Sequence, residues 1–203
     1  PASEMHGDLS ENPVDRELRE VAYTQVFGPV VSVFHEMVPS PVHIDVYRFG
    51  WGEPRNEHAY VTGGMSDALQ PDGGQFARIE LVFYAKRHDE LYPKLLQTFA
   101  HYPWQTGASL GPWHTIPLGG YAEKAVGSPR FAAMWFFPGV AKPETPIHIA
   151  PQLASFGIRY MTVVPITAAE LELTLKQGTD ALIERFSQAR FDLAFDPERE
   201  SVV

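Results

Sequence analysis

The alternation of side chains across residues 78–85 constrains the fold of this chain more than any other feature. Successive side chains of an extended chain point to opposite faces, so every second residue lies on the same face. One face would carry Ile79, Leu81, Phe83 and Ala85. The other face would carry charged, aromatic and aliphatic side chains. We therefore expect a β-strand with one face in a hydrophobic core and one mixed face.

Other short runs predict further strands. Residues 30–38 and 43–49 are rich in Val, Ile, Phe and Tyr, and the Pro-Ser-Pro sequence at 39–41 predicts a tight connection between them. Residues 59–65 are a third candidate. Runs that are apolar almost throughout are typical of strands buried on both faces, in the middle of a sheet. Two such runs are residues 131–137 and 157–164.

The first predicted helix has a recognisable start. Asn12 is suited to the N-cap, Pro13 to the first helical position, and the helix should run to about Val26. An apolar stripe across residues 91–102 predicts a second helix. We expect it to end before Pro103, because a proline inside a helix removes a hydrogen bond and crowds the preceding turn.

Two more helices are expected near the C-terminal end. Thr167 and Glu170 are spaced as in a capping box, and Gly178 should separate the helix that they begin from the next one. The polar sequence after Ala189 predicts a surface strand or a loosely ordered tail. Together these elements predict an α+β fold, a mixed β-sheet flanked by helices.

Length and composition limit the class of protein. The 203 residues fit one domain over 1–203, with a core at about 14–189 and loosely ordered ends. The chain is 44% hydrophobic and contains no cysteine, so its core needs no disulfide or thiolate zinc site. The polar N-terminal region lacks a signal-peptide pattern, and no apolar run approaches the about 20 residues of a membrane span. We expect a cytoplasmic protein that does not bind membranes.

The formal net charge of −9 bears on the choice of partner. A negative surface repels nucleic acid and favours a basic polypeptide. The acidity is also consistent with a role in solubility alone.

The motifs that suggest catalysis lack the context that catalysis needs. Residues 107–111 spell G-x-S-x-G around Ser109, but a nucleophile elbow needs a strand before the serine and a helix after it, and Pro112 follows here. A runner-up hypothesis is a small hydrolase or ligand-binding enzyme that uses Asp45, Glu80 and His114 as a general acid and base set. That hypothesis requires the fold to bring the three side chains together.

The histidines predict no metal site. His43 and Asp45 would share one face of a strand, and two ligands are too few for a metal ion, so we interpret them as a hydrogen-bonded pair. Neither the glycine-rich turns nor any other motif predicts a cofactor. Trp104, Trp113 and His114 belong to a Gly- and Pro-rich region, where large aromatic side chains serve either to pack the loop or to contact a partner.

Several distinctive segments follow one another in a fixed order. They are His-Ile-Asp-Val-Tyr at 43–47, Tyr-Val-Thr-Gly-Gly-Met-Ser-Asp at 60–67, Ile-Glu-Leu-Val-Phe at 79–83, Trp-His-Thr-Ile-Pro-Leu at 113–118, and residues 158–172. Their combination and order resemble the suppressor of fused domain over about residues 15–200. The resemblance implies a single compact domain that is not an enzyme. Animal members sequester a zinc-finger transcription factor by gripping a short extended peptide, and bacterial members include immunity proteins that neutralise toxins.

The resemblance also implies a binding region. An extended peptide added beside sheet strands would lie around residues 67–73 and along residues 78–84. We therefore predict partner contacts at Asp67, Asp72, Glu80, Tyr84, Trp113 and His114. Animal members carry a second, C-terminal domain that helps to enclose the peptide, and the short chain is more similar to the bacterial members. The expected partner is a basic polypeptide, such as a toxin.

Overall fold

The computed structural model describes residues 14–37, 40, 42–51, 57–139, 153 and 156–203. Seven strands form one sheet in the order β1-β2-β3-β4-β7-β6-β5. All neighbouring strands are antiparallel except β4 and β7, which are parallel, so the sheet is mixed, as predicted. The strands are β1 (Val30–Phe34), β2 (Asp45–Trp51), β3 (Glu57–Gly63), β4 (Ile79–Ala85), β5 (Thr115–Pro117), β6 (Phe131–Pro138) and β7 (Arg159–Thr167).

Helices cover both faces of this sheet. In the described residues they are α1 (Arg16–Phe27), α2 (Leu91–Thr106), α3 (Ala122–Val126), α4 (Ala168–Gln177) and α5 (Thr179–Gln188). Helices α2 and α3 pack on one face, and α1, α4 and α5 pack on the other. No helix in the described part of the chain is long and apolar enough to cross a membrane.

Strand β4 is buried on both faces, which corrects the expectation of one mixed face. All seven of its residues are buried. Leu81 and Phe83 pack with the α2 side of the core, whereas Val82 and Tyr84 pack with the α1 side. The sequence prediction failed because the side chains on the second face include a charged residue, Glu80, whose burial depends on a network described below.

Helix α2 continues through Pro103, where the sequence predicted its end. Pro103 lies in the last turn, so its missing N–H costs one hydrogen bond and three more residues remain helical. The Thr106 hydroxyl donates to the Tyr102 carbonyl over 2.8 Å. Gly107, with φ of 75°, then ends the helix and donates its N–H to the Pro103 carbonyl.

The helix ends follow the predicted capping chemistry where they are described. Thr167 and Glu170 form the predicted capping box, and Gly178 separates α4 from α5. Asp15 caps α1 by accepting the Glu17 N–H over 2.7 Å. The predicted start at Asn12 lies outside the described residues.

Of the two alternatives predicted for the segment after α5, a surface strand and a loosely ordered tail, the structure contradicts the loose tail, because the segment is fixed to the sheet. Phe195 is 3% exposed, and its backbone N–H donates to the Tyr84 carbonyl over 2.8 Å. Its carbonyl accepts the Lys86 N–H over 2.9 Å. The apolar Phe195 and two backbone hydrogen bonds therefore anchor a sequence that is otherwise polar.

The strand directions bring several connections to one end of the sheet, which we call the loop end. In the register of the sheet, Asp45 at the start of β2 pairs with Gly63 at the end of β3. Thr115 at the start of β5 pairs with Trp135 near the end of β6. The turn after β3, the loop after α2 and the segment before β2 therefore all lie at the loop end.

Candidate functional site

A cleft of about 330 Å³ opens at the loop end, and we call it the acidic cleft. Three parts of the chain form it: the segment before β2, the turn after β3 and the C-terminal half of α2. The lining residues are Ser40, Val42, His43, Asp67, Ala68, His101 and Trp104. A concave site built at the junction of separate elements is the usual location of a binding site.

Asp67 is held in the cleft by α1. Its Oδ1 accepts a hydrogen bond from Arg19 Nη2 over 2.6 Å and one from the Val14 N–H over 3.3 Å. The Arg19 side chain is only 6% exposed, whereas the Asp67 side chain is 29% exposed. The carboxylate therefore has a fixed position and still reaches the surface.

The segment before β2 forms a second wall, where two histidine rings contact one carboxylate. Asp45 contacts His43 Nε2 over 3.0 Å and His35 Nδ1 over 3.1 Å, one through each carboxylate oxygen. The predicted hydrogen-bonded pair of His43 and Asp45 is therefore confirmed. The Asp45 side chain is 8% exposed and the His43 side chain 60% exposed. A buried carboxylate thus orients an exposed ring at the mouth of the cleft.

Helix α2 supplies the third wall. His101 Nε2 contacts Glu36 Oε1 over 2.6 Å, and Glu36 Oε2 accepts the Ile44 N–H over 2.9 Å. Trp104 donates its indole N–H to the Leu69 carbonyl over 3.3 Å. These contacts tie α2 to both the segment before β2 and the turn after β3, so the three walls have a fixed arrangement.

The charges around the cleft favour a cation. Three carboxylates, Glu36, Asp45 and Asp67, lie in or directly behind its walls, and Arg19 is the cation that pairs with one of them. With neutral imidazoles the set has a negative formal charge. The indole ring of Trp104 adds an aromatic surface, which attracts ammonium and guanidinium groups. No group of three His, Asp or Glu side chains is arranged to hold a metal ion in the part of the chain that the structure describes.

Glu80 lies beneath the turn after β3, away from the surface. It is 0% exposed. Its Oε1 accepts hydrogen bonds from the Gly64 N–H over 3.0 Å and from the Ser66 hydroxyl over 2.6 Å, and its Oε2 accepts one from the Thr62 hydroxyl over 2.6 Å. Burial raises the pKa of Glu80, while the nearby Arg19 and these hydrogen bonds oppose the rise. Glu80 therefore fixes the turn that presents Asp67.

This position changes the role expected of Glu80 and Tyr84. Tyr84 is 1% exposed, and β4 lies between β3 and β7, so no peptide can be added along residues 78–84. Direct contact of either side chain with a partner would require displacement of the elements that cover this face, including α1. Among the described strands, β1 and β5 are the edge strands of the sheet.

Asp72 is exposed in the loop that follows the turn. Its φ of 48° is a conformation that aspartate adopts more readily than most residues. The buried Gln70 fixes this loop by donating to the Leu110 carbonyl and accepting the Leu110 N–H, both over 2.8 Å. Asp72 is thus at the loop end but is not a lining residue of the acidic cleft.

Trp113 and His114 lie directly before β5, the edge strand at one side of the described sheet. Trp113 is 37% exposed, and its ring centre is 5.5 Å from that of Trp135 and 5.2 Å from that of Phe137. His114 Nδ1 accepts the Gly111 N–H over 3.1 Å. Trp113 therefore packs the loop and also remains partly exposed, and neither residue lines the acidic cleft.

The proposed acid and base set is not brought together. Asp45, Glu80 and His114 each bond to different partners and share no hydrogen bond. With neighbouring strands about 5 Å apart, the strand order places β2 and β5 on the order of 20 Å apart across the sheet. Ser109 lies between the end of α2 and β5, so the strand and helix of a nucleophile elbow are missing from its described surroundings.

Sequence reasoning did not identify Glu36, His101 or Trp104 as parts of one site. Glu36 and His101 are 65 positions apart, and no local spacing predicts their contact. His101 and Trp104 lie beside the apolar stripe of α2, and both line the cleft. The available signal was the position of Trp104, a large aromatic residue directly before the Gly-rich loop at 107–111.

Comparison with known proteins gives one family. The family model described as suppressor of fused protein (SUFU) matches residues 40–200. No curated protein in the comparison matches the chain significantly.

Solved structures share the fold at low sequence identity. A crystal structure described as a suppressor of fused homologue from Neisseria gonorrhoeae is 16% identical, with a TM-score of 0.69 over 92% of this chain and 96% of that chain. A crystal structure of the Sufu–Fu complex is 17% identical, with a TM-score of 0.63 over 92% and 89% of the two chains. Drosophila Suppressor of Fused is 18% identical, with a TM-score of 0.55 over 80% of this chain and 43% of its own. At these identities the likeness shows a shared fold.

Proposed function

We propose that this chain, which belongs to the suppressor of fused family, functions by binding a basic segment of another protein in the acidic cleft. The observation that carries the proposal is the set of carboxylates Glu36, Asp45 and Asp67 around a concave site with an aromatic wall. A lysine or arginine side chain of the partner enters the cleft, and no bond is made or broken.

A protein partner is supported by two further observations. One structure with this fold is that of a complex, the Sufu–Fu complex. The net charge of −9 favours encounter with a basic polypeptide at low ionic strength. In this proposal the chain is an immunity protein whose partner is a basic toxin, and occupation of the toxin's surface neutralises it.

The contacts that fix the cleft also suit it to binding. Its walls are preorganised by hydrogen bonds from Arg19 to Asp67 and between His101 and Glu36. Preorganised walls reduce the ordering cost of association, so a small number of well-placed contacts is sufficient for affinity.

The experiment compares two substitutions of the same lining residue. The unmodified chain, Ala68→Lys and Ala68→Glu are immobilised separately. Each is then exposed to an extract of the native host at low and at high salt. Both side chains are long, but lysine places a positive charge in the cleft and glutamate a negative one. We expect Ala68→Lys to lose a partner that the unmodified chain and Ala68→Glu retain, and high salt to release it.

Two tryptophans test whether the partner binds in the acidic cleft or elsewhere on the surface. Trp104 lines the acidic cleft, whereas Trp113 lies beside β5. We expect Trp104→Ala to weaken capture at least tenfold, which is usual for a central aromatic contact, and Trp113→Ala to weaken it less. Equal capture by the two Ala68 variants, or a larger loss in Trp113→Ala, would contradict binding in the acidic cleft.

A further inference from the structure

A second concave surface, on the α2 face of the sheet, has the opposite chemistry to the acidic cleft. We call it the apolar groove, and its volume is about 350 Å³. It lies between α2, α3 and the residues that follow β5. Its apolar walls come from Leu91, Leu95, Phe99, Leu118 and Ala125.

Two lysines lie on the rim of this groove. Lys94 belongs to α2 and Lys124 to α3, and both are exposed. Glu90, one turn before Lys94, contacts His88 instead, over 3.2 Å. Among the described residues, neither lysine has a carboxylate within ion-pair distance. Within the described part of the chain, the groove therefore carries two lysines without an ion-pair partner, on a chain with a formal net charge of −9.

The polar side chains of the groove are suited to an anion. Besides the lysines they are the hydroxyl of Tyr121, which is 70% exposed, and that of Thr98, which donates to the Lys94 carbonyl over 2.8 Å. Among the described residues, no carboxylate or amide side chain lines the groove, so the N–H groups of a bound peptide would meet few acceptors there. An aliphatic chain needs no hydrogen-bond partner, and a single anionic headgroup would meet the two ammonium groups at the rim.

We propose that the apolar groove binds an aliphatic carboxylate of the fatty-acid class, with the acyl chain between α2 and α3 and the carboxylate at Lys94 and Lys124. Its size falls within the range of pockets that hold small molecules. This site shares no lining residue with the acidic cleft, and the inference does not depend on the proposed function.

The test uses dodecanoate as the probe, below its micelle-forming concentration, with calorimetry on the full chain. We expect binding of one dodecanoate per chain. Affinity should rise about threefold to fourfold per CH₂ from octanoate to dodecanoate, as expected for burial of an acyl chain. Dodecanol and dodecyltrimethylammonium, which have the same tail without the negative charge, should bind more weakly.

Variants then separate the tail site from the headgroup site. Thr98→Trp should fill the groove and reduce affinity more than tenfold. The double variant Lys94→Ala, Lys124→Ala should reduce it about fivefold, the range expected for two exposed ion pairs. The control is Lys86→Ala with Lys176→Ala, since these exposed lysines lie outside the groove.

Each remaining outcome counts against the proposal. It is overturned if dodecanoate does not bind, if Thr98→Trp binds it as well as the unmodified chain, or if the cationic amphiphile binds equally. Adsorption to anionic vesicles without binding of monomeric dodecanoate would show a membrane-surface interaction and would also overturn it. Because all five substituted side chains are exposed, thermal unfolding of each variant should match that of the unmodified chain.

Discussion

Arg199 donates hydrogen bonds to both carboxylate oxygens of Glu170, from Nη1 to Oε1 over 2.7 Å and from Nη2 to Oε2 over 2.6 Å. Glu170 is 0% exposed and also closes the capping box of α4 by accepting the Thr167 N–H. The pair therefore joins the segment after α5 to the start of α4. A polar C-terminal sequence is ordered by one buried ion pair and by Phe195.

We expect Arg199→Ala to destabilise the fold by about 3 to 5 kcal/mol, because it leaves the Glu170 carboxylate buried without its ionic partner. The stability of Arg199→Lys should lie between that of the unmodified chain and that of Arg199→Ala, since an ammonium group cannot donate to both oxygens in the same planar geometry. Urea unfolding at neutral pH measures both changes. A loss below about 1 kcal/mol in Arg199→Ala, as for a surface ion pair, would show that the pair does not hold the segment.

The same pair predicts a loss of stability in acid. Arg199 and the backbone N–H groups of Thr167 and Val202 lower the pKa of Glu170 from its ordinary value of 4.5, outweighing the effect of burial. A carboxylate with a lowered pKa stabilises the folded state above its unfolded-state pKa, and this contribution is lost as the pH falls through the folded-state pKa. The difference in unfolding free energy between the unmodified chain and Arg199→Ala should therefore shrink below about pH 4.5. A difference that stays constant into strong acid would contradict this assignment.

Glu80 should show the opposite dependence on pH. Burial raises its pKa, so ionised Glu80 costs stability as the pH rises above the ordinary value of 4.5 and through the folded-state pKa. Glu80→Gln keeps one oxygen to accept the Gly64 and Ser66 donors but cannot ionise. The stability of Glu80→Gln relative to the unmodified chain should therefore improve with rising pH. Unfolding titrations across this range measure it, and a relative stability that falls with pH would contradict the prediction.

The turn after β3 gives a steric prediction. Gly64 has φ of 117°, and a Cβ at this position would collide with the His43 carbonyl. Gly64→Ala should therefore destabilise the fold by more than the about 1–2 kcal/mol that a left-handed conformation alone costs. Gly107→Ala is the matched control, because its φ is 75° and no heavy atom lies within 4 Å of the added Cβ. Equal losses in the two variants, measured by thermal unfolding, would show that the turn can move away from His43.

These elements also show how far the sequence could predict the fold. Six of the seven described strands, the capping box of Thr167 and Glu170 and the break at Gly178 follow from local patterns, and the structure confirms them. The short strand β5 was not predicted. The α+β class and the family resemblance are confirmed as well. Pro103 was misjudged because a proline in a last turn costs a single hydrogen bond, which packing of the helix offsets.

The candidate site was less accessible to prediction. The family resemblance placed Asp67 and Asp72 in the predicted binding region, but the sequence could not show that Glu80 faces inward, because alternation along β4 says only which residues share a face. Enclosure of that face depends on α1, which precedes β4 by many residues. Contacts such as His101 with Glu36 arise from tertiary packing alone.

The most direct test of binding in the acidic cleft is site-specific photo-crosslinking in the native host. A benzoyl-phenylalanine at position 43, whose native His43 side chain is 60% exposed at the cleft, is compared with one at Gln188, an exposed residue on α5. We predict a single polypeptide adduct from position 43, lost at high salt, with the crosslinked segment next to a lysine or arginine. No adduct from position 43, equal adducts from both positions, or a crosslinked segment without a basic residue would contradict the account.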